Sequence, residues 1–402
     1  MVSVPRKKIL IFTIPNDGHF NILKRVIREY HQSHTFAVVV VDQKNTPPEL
    51  GDVSAPVLTP LRSQSFVNTP ASAVFVRAAE VLDECLDIAR DFDPDLILYD
   101  FCAVEGHLVG QILGVPSWSS IPGLIGPLTE RGYLDDSLGS AVNQSAISAL
   151  RDRHQVTLDK SAVELISNSL HIPAERNILW SYPSVTPPDF LVNRKPAEYQ
   201  FAGYLSDGHV KQERLSETPL VYLSFGTEVM DNLWPAQEAT RAGIRQCVAG
   251  LAKRWAPLAI DVVFATQGKA VLDDYPPNWT VLGKVDQQQV LSRADVFVTH
   301  GGSNSFHEAL LSRVPMVVTP FFGDQALIGR RVEEMGVGIA LVADDGVCKD
   351  KSKHFLNDEL TDRIDAAVHQ ILGDRRYHDN LRSVPLEATP ALDALATASA
   401  GH

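Results

Sequence analysis

Cysteine is scarce in this sequence, and its spacing argues against two kinds of scaffold. The four cysteines lie far apart and form no Cys-x-x-Cys pair: Cys85, Cys102, Cys247 and Cys348. Such spacing indicates neither a zinc ligand set nor a disulfide framework. Reduced thiols in a cytoplasm fit this pattern best.

Long apolar runs are also missing. The apolar residues 9–12, which follow three basic residues, form too short a run for the core of a signal peptide. No stretch approaches the ~18 apolar residues that a membrane span requires. We therefore expect a cytoplasmic protein without a membrane-spanning segment.

Positive charge is outnumbered by negative charge. The chain has 36 Lys and Arg against 49 Asp and Glu, and its formal net charge is -13. Nucleic acids and anionic lipid surfaces need a basic face, so neither is expected as a partner. A small anionic ligand remains compatible, because backbone N–H groups at a helix N-terminus can hold it.

Two common nucleotide-binding motifs do not occur. No Gly-x-Gly-x-x-Gly follows a predicted strand, which argues against a dinucleotide-dependent dehydrogenase, and there is no Gly-x-x-x-x-Gly-Lys-[Ser/Thr] loop. No Asp-x-Asp pair stands at the end of a predicted strand. We therefore expect no catalytic metal.

The sequence does contain a repeated unit of strand, helix and strand. Its 402 residues exceed one hydrophobic core, which favours two domains. Strands are predicted at residues 94–100 and 294–300, each followed by a helix and a Val-Pro pair. This alternation predicts parallel sheets, which bind ligands beyond the carboxyl ends of their strands. Two such domains facing each other across a cleft would bring Asp100 and His300 to one site.

Composition shifts mark the domain boundaries. Residues 182–218 are rich in proline, charge and turn formers, and an apolar strand opens directly after them. We place one Rossmann-like domain at residues 1–205, a second at 206–375, and a C-terminal helix and tail at 376–402. Residues 128–169 form an excursion of the first domain.

A glycine pair after a predicted strand is the strongest local signal. Gly301 and Gly302 turn the chain, and small polar residues then open a helix. The free N–H groups and positive dipole end of that helix suit a diphosphate, which His300 would also reach. The alternative is an ordinary helix N-cap formed by Ser303 or Ser305.

Two further clusters follow predicted strands. Asp324 and Gln325 would hydrogen-bond vicinal sugar hydroxyls, or they cap the helix that they begin. Gly226 and Thr227 would meet a phosphate, or they form a plain turn from strand to helix. Either interpretation of each cluster fits the sequence alone.

The run 294–338, with these motifs, resembles the donor-binding region of the family 1 glycosyltransferases, most closely the bacterial antibiotic and macrolide group. The resemblance implies an α/β protein of GT-B fold, with two facing Rossmann-like domains, parallel sheets and an interdomain cleft. It implies an acceptor-binding N-terminal domain and a C-terminal domain that binds a UDP- or dTDP-sugar. That nucleotide-sugar is a co-substrate, and no separate cofactor is expected.

The same resemblance implies a role for each donor-site residue. The diphosphate would be held by four residues: His300, Gly302, Asn304 and Ser305. Thr227 would lie against the phosphates, and Glu308 would accept hydrogen bonds from the ribose. Asp324 and Gln325 would fix the transferred sugar.

One departure from the family pattern concerns the nucleobase. Members usually stack the base on a Trp, but Lys284 stands at that position and Asp286 replaces a Pro. The backbone of Val285 would still contact the base, and Gln287 would reach the ribose. The sequence leaves uridine and thymidine open.

His19 and Asp100 match the catalytic pair of the family. His19 follows the first predicted strand as the general base, and Asp100 would orient it. An acceptor hydroxyl must lose its proton as it attacks the anomeric carbon, and histidine has suitable basicity. A carboxylate on its other nitrogen would stabilise the imidazolium. The alternatives are a surface loop histidine at 19 and a helix N-cap at 100.

The predicted activity is inverting, metal-independent transfer of a sugar to a hydroxyl or amine of a small hydrophobic natural product, as in antibiotic biosynthesis. Acceptor-binding candidates are Phe66, Phe75 and Leu124, although Phe75 also fits a buried core. A sugar-nucleotide epimerase or a non-catalytic helper protein of the same fold is the alternative. The Asp324-Gln325 pair and His19 disfavour the epimerase, and the presence of both His19 and Asp100 disfavours the helper protein. The chain is expected to be a monomer or a homodimer.

Overall fold

The computed structural model describes these parts of the chain: residues 6–42, 55–66, 73–123, 131–158, 161–166, 169–187, 199–206, 217–341 and 358–387. Contacts divide the molecule into two compact units, one extending to Leu205 and the other spanning Ser206–Leu386. Each unit has its own parallel sheet and its own hydrophobic core.

The first unit is built on a parallel sheet. Its strands are β1 (Lys8–Thr13), β2 (Thr35–Val40), β3 (Val57–Leu58), β4 (Leu96–Asp100), β5 (Ser117–Ile121), β8 (Arg176–Leu179) and β9 (Tyr199–Phe201), with a separate antiparallel pair, β6 (Glu164–Ile166) and β7 (Ser169–His171). The order across the sheet is β3-β2-β1-β4-β5-β8-β9. All five residues of β4 are buried, as expected for a strand covered on both faces.

Helices connect these strands. They are α1 (Asp17–Tyr30), α2 (Val74–Phe92), α3 (Glu105–Leu113), α4 (Arg131–Gly139) and α5 (Ala141–His154). Helix α5 packs against α2 and contributes Ile147 and Leu150 to the core of this unit. The described part of the predicted excursion is therefore part of the packed domain.

The second unit repeats this architecture. Its strands are β10 (Leu220–Ser224), β11 (Asp261–Ala265), β12 (Trp279–Leu282), β13 (Val296–Thr299), β14 (Met316–Val318) and β15 (Gly338–Ala340), in the parallel order β12-β11-β10-β13-β14-β15. Its helices are α6 (Trp234–Ala236), α7 (Glu238–Trp255), α8 (Gln287–Leu291), α9 (Ser303–Leu311), α10 (Gln325–Glu334), α11 (Asp358–Gly373) and α12 (Arg376–Ser383).

Strand order reverses at the same point in both sheets. The first strand of each unit lies between the second and a later one, so β1 pairs with β2 and β4, and β10 pairs with β11 and β13. Ligands of open α/β sheets bind beyond the carboxyl ends of the strands at such a reversal. His19 and Asp100 lie at this point in the first unit. Thr227 and His300 lie there in the second.

The first helix differs from its predicted start. The apolar pattern indicates a helix from residue 22, whereas α1 begins at Asp17. The amides of His19 and Phe20 both bond the carbonyl of Asn16, which closes the first turn. Polar first-turn residues carry no apolar periodicity, so the pattern missed them. His19 consequently lies on a helix and not in a loop.

The acceptor candidates have different environments. Phe75 is fully buried in the core, as its alternative interpretation required. Phe66 is half-buried and packs against the same core. Leu124 lies outside the described residues.

Two sequence predictions concern membrane-spanning segments and the pairing of cysteines. None of the described helices is long and apolar enough to cross a bilayer. Cys85, Cys102 and Cys247 are free thiols. Cys348 lies outside the described residues.

Close packing of α3 on the sheet depends on a glycine. A Cβ at Gly106 would lie 2.5 Å from the Cβ of Tyr99 and 2.9 Å from the Cβ of Phe12. Because Phe12 is on β1 and Tyr99 on β4, helix α3 contacts the strand that precedes His19 and the strand that ends at Asp100. The position of α3 is thereby tied to the position of these strands.

We expect Gly106→Ala to lower the free energy of unfolding by about 1–3 kcal/mol, because overpacking moves helix or strand backbone. Urea unfolding measures the loss. Gly139→Ala in helix α4 is the control, because a Cβ there meets nothing within 4 Å. Equal effects of the two substitutions would contradict this account of the packing.

Candidate active site

His19 and Asp100 form a hydrogen-bonded pair in the first unit. Nδ1 of His19, in the first turn of α1, lies 3.0 Å and 2.9 Å from the two carboxylate oxygens of Asp100 at the end of β4. The Asp100 side chain is fully buried, and that of His19 is 23% exposed. A buried carboxylate therefore holds a histidine that solvent and small molecules can reach.

The residues after Asp100 complete this arrangement. The backbone N–H of Cys102 donates to Oδ1 of Asp100 at 2.9 Å. The ring of Phe101 stacks on the imidazole of His19, with centroids 5.3 Å apart. Helix α3 begins only at Glu105, so Asp100 is not its N-cap. These contacts fix both the carboxylate and the plane of the imidazole.

A buried ion-pair network lies behind this loop. Nε and Nη2 of Arg77 donate to the carboxylate of Glu105 at 2.7 and 3.0 Å, and Nη1 lies 3.6 Å from Asp42. Nη2 also donates to the carbonyl of Cys102 at 2.6 Å. Burial opposes the charge of Arg77, but the Glu105 carboxylate outweighs it and the pKa of Arg77 is raised. The Cys102 peptide thus links this network to Asp100.

In the second unit, His300 lies between two glycine backbones. A Cβ at Gly226 would come 2.2 Å from the ring, and one at Gly302 would come 2.4 Å from Nε2. Gly226 also has a φ of 80°, which side chains rarely adopt. Gly226 and Gly302 therefore serve first to seat the imidazole, a role that the sequence did not indicate.

Burial controls the charge of His300. It lowers the pKa of His300 to about 4, so the ring is neutral near pH 7. Its Nδ1 is buried and has no hydrogen-bond partner among the described residues. A buried N–H without a partner is rarer than a buried acceptor without one, which favours the proton on Nε2. His300 then offers a neutral N–H donor.

Glu308, on α9, is part of a side-chain network. Nε2 of Gln287 donates to Glu308 at 2.8 Å and to Ser305 at 3.1 Å, and the Tyr222 hydroxyl donates to Oε1 of Gln287 at 3.2 Å. Nε2 of Gln288 lies 3.4 Å from the same carboxylate. Three predicted donor residues, Gln287, Ser305 and Glu308, are thereby brought together. Neither Tyr222 nor Gln288 is predicted from the sequence, since an isolated Tyr or Gln belongs to no motif.

Gln325 has a structural contact as well as a predicted ligand role. Its Oε1 accepts the backbone N–H groups of Phe321 and Phe322 at 2.7 and 3.1 Å, which shapes the loop before α10. A contact of its amide nitrogen with a sugar hydroxyl stays a prediction. Asp324 occupies the N-cap position of α10 without a capping hydrogen bond from its side chain, and it is half-buried.

The other predicted donor residues lie at the carboxyl edge of the second sheet. Thr227 is half-buried just before a π-helical turn (Val229–Leu233), and Asn304 is half-buried in the first turn of α9. Val285 is half-buried and Lys284 is exposed, in the segment between β12 and α8. Asp286 caps α8 by accepting the N–H of Gln289 at 3.0 Å.

Known proteins resemble both the sequence and the fold. A family model described as the C-terminal domain of erythromycin biosynthesis protein CIII-like proteins matches residues 257–391. The NDP-glycosyltransferase YjiC of Bacillus licheniformis is 25% identical over 354 residues, 84% of this chain and 86% of that protein. YjiC of Bacillus subtilis is 26% identical over 295 residues, 70% and 68% of the two chains.

Solved structures share the architecture across nearly the whole chain. The glycotransferase of kitacinnamycin has a TM-score of 0.70 at 21% identity, covering 94% of each chain. The calicheamicin glycosyltransferase CalG4 has a TM-score of 0.69 at 20% identity, covering 94% of this chain and 93% of its own. The fold is therefore GT-B.

By these likenesses the chain is a glycosyltransferase, and it resembles the family 1 members of that class. The expected α/β class and GT-B fold are confirmed, as is the resemblance to antibiotic glycosyltransferases. The roles of individual residues in this glycosyltransferase stay predictions.

One prediction concerns the ion-pair network of the glycosyltransferase. We expect Arg77→Met to lower the free energy of unfolding by about 3–5 kcal/mol, because it leaves two buried carboxylates without their cation. Urea unfolding is the measurement. Arg90→Met, at an exposed pair with Asp87, is the control and should cost less than about 1 kcal/mol. A similar small loss for Arg77→Met would contradict the network's role.

A second prediction concerns pH. The folded pKa of His300, about 4, lies below its unfolded value of 6.5. Its stabilising effect is therefore complete above pH 6.5 and is lost as pH falls through about 4. Across this window His300→Asn should reduce the slope of unfolding free energy against pH by up to about 1.4 kcal/mol per unit. Urea unfolding at several pH values tests this, with the exposed His31→Asn as control. An unchanged slope in His300→Asn would disprove it.

Proposed function

We propose that this glycosyltransferase transfers a sugar from a UDP- or dTDP-sugar to a hydroxyl of a small hydrophobic acceptor, with inversion at the anomeric carbon. The observation that carries the proposal is the pair of His19 and the buried Asp100 at the carboxyl edge of the first sheet. No metal ion or separate cofactor takes part.

His19 supplies the base in this reaction. Its Nδ1–H donates to Asp100, which leaves the lone pair of Nε2 to take the acceptor proton as the oxygen attacks. The charge of the imidazolium is then balanced by a carboxylate that water does not screen. Such proton removal typically contributes ~10²–10⁴-fold to the rate.

The second unit supplies the groups that would stabilise the leaving diphosphate. Helix α9 begins at Ser303, directly after Gly302, and presents N–H groups and a positive dipole end. The neutral His300 adds a further N–H donor, so negative charge that develops on the diphosphate is stabilised without a cation. A single displacement by the acceptor oxygen gives the inverted product.

Relatives support the classes of the two substrates. One solved relative, the spinosyn rhamnosyltransferase SpnG, is complexed with thymidine diphosphate in one structure and with the spinosyn aglycone in another. We infer a nucleoside diphosphate-sugar and a hydrophobic aglycone for this chain by that likeness. Lys284 is exposed and cannot stack as an indole does, so we infer that the base is held mainly through the backbone of Val285.

The proposal predicts opposite phenotypes for two histidines. His19→Ala should lower the transfer rate by ~10²–10⁴-fold while UDP or dTDP binding stays within about twofold. His300→Ala should weaken nucleotide binding at least about tenfold, because the diphosphate loses a donor. Calorimetric titration with UDP, dTDP and GDP, with and without EDTA, measures binding. Mass spectrometry of products from UDP-glucose or dTDP-glucose with a panel of phenols and macrolactones measures transfer.

Several results would contradict the proposal. Full turnover in His19→Ala would remove the base assignment. Loss of UDP or dTDP binding on addition of EDTA would contradict the proposed metal independence. If neither UDP nor dTDP bound, the donor site would be wrong and a helper protein of the same fold would be favoured.

A further inference from the structure

Three side chains of different chemistry converge in the first unit. Nδ1 of His19, a carboxylate oxygen of Asp100 and Sγ of Cys102 all lie within 4.8 Å of one another. We propose that they form a binding site for Zn²⁺ or another thiophilic divalent cation, and that occupation of this site inhibits the enzyme. The cation is an inhibitor here and not a cofactor.

The donor set suits zinc. Zinc binds Cys sulfur at about 2.3 Å and His nitrogen or carboxylate oxygen at about 2.0–2.2 Å, in a tetrahedron. The nitrogen and oxygen are 2.9 Å apart, close to the edge of such a tetrahedron. Sγ of Cys102 lies within 4.8 Å of both atoms, so binding requires this side chain to move closer to them. Because the His19 side chain is 23% exposed, solvent can supply the fourth ligand.

Charge balance also favours the site, and the cation must displace the thiol proton of Cys102, whose pKa is raised by burial and by the Asp100 carboxylate. The buried Asp100 carboxylate faces one backbone N–H and the imidazole, so a cation would compensate its charge. When the cation binds, the thiol proton goes to solvent and the Nδ1 proton moves to Nε2 or to solvent. Ser169 Oγ, 3.4 Å from the sulfur, can donate to the thiolate.

Occupation would remove the chemistry of His19. Nδ1 would then be a metal ligand, and Asp100 would no longer be available to stabilise an imidazolium. The base function would be lost while the donor residues of the second unit kept their own contacts. Zinc should therefore lower turnover without weakening UDP binding, and EDTA should restore turnover.

Two other cysteines provide matched controls. Cys247 is buried in the core of the second unit, whereas His19 and Asp100 belong to the first unit. Among the described residues, only His19, Asp100 and Cys102 form a group of three or more such side chains. Cys348 lies outside the described residues, so its substitution controls for a thiol there.

The test is cobalt and zinc titration of the full chain. Co²⁺ bound through a thiolate gives a near-ultraviolet charge-transfer band, which Zn²⁺ abolishes as it displaces the cobalt. We expect one equivalent of Co²⁺ with this band in the unchanged protein, Cys247→Ser and Cys348→Ser. We expect the band to be lost in Cys102→Ser and Zn²⁺ to bind at least tenfold more weakly in Cys102→Ser and His19→Ala.

Other outcomes would overturn the site. A band that survives in Cys102→Ser, or one that disappears in Cys348→Ser, would assign the metal elsewhere. No band in the unchanged protein would mean no site. Because this readout needs no turnover, a band in the cobalt-loaded protein together with no transfer by the metal-free protein would count against the proposed function alone. Transfer by the metal-free protein without a band on adding cobalt would count against the metal site alone.

Discussion

The first unit is organised around one buried carboxylate at the end of β4. Asp100 has no exposed surface, and a buried charge is tolerated only where polar partners surround it. The imidazole of His19 and the N–H of Cys102 supply those partners, so the first turn of α1 and the loop after β4 must lie where they do. Arg77 then anchors the Cys102 carbonyl, and Glu105 balances Arg77. The site therefore consists of charged groups that each have a polar partner, from the buried Arg77–Glu105 pair to the partly exposed ring of His19.

In the second unit the corresponding constraint is steric. His300 is seated between Gly226 and Gly302, where a Cβ would collide with the ring. These two positions follow β10 and β13, the strands that meet at the reversal of the sheet. Close approach of backbone to the imidazole excludes water and keeps the ring neutral. Glycine at both positions makes room for the histidine, and a contact with phosphate there stays a prediction.

The sequence predicts what depends on local pattern. Strands β4, β10 and β13 begin within two residues of their predicted positions, because their apolar runs are short and bounded by turns. His19 and Asp100 were paired by motif, and the structure brings them within hydrogen-bonding distance. Arg77 and Glu105 were missed because a buried ion pair 28 residues apart on two helices has no periodic signature. Tyr222 and Gln288 were missed for the same reason, since only the fold brings them near Gln287 and Glu308.

Two histidines at the carboxyl edges of two similar sheets differ in burial and in contact with a carboxylate, and these differences suit them to different chemistry. His300 is buried without a carboxylate, and desolvation alone keeps it neutral, so it suits donation of an N–H to an anion. His19 is partly exposed and its Nδ1 contacts a buried carboxylate, which suits it to the proposed role of general base. If the two histidines exchanged their surroundings, we would expect them to exchange their proposed roles of N–H donor and general base. The carboxylate that would orient His19 as the proposed base would also attract a cation, and Cys102, two residues after Asp100, offers the soft ligand that zinc prefers.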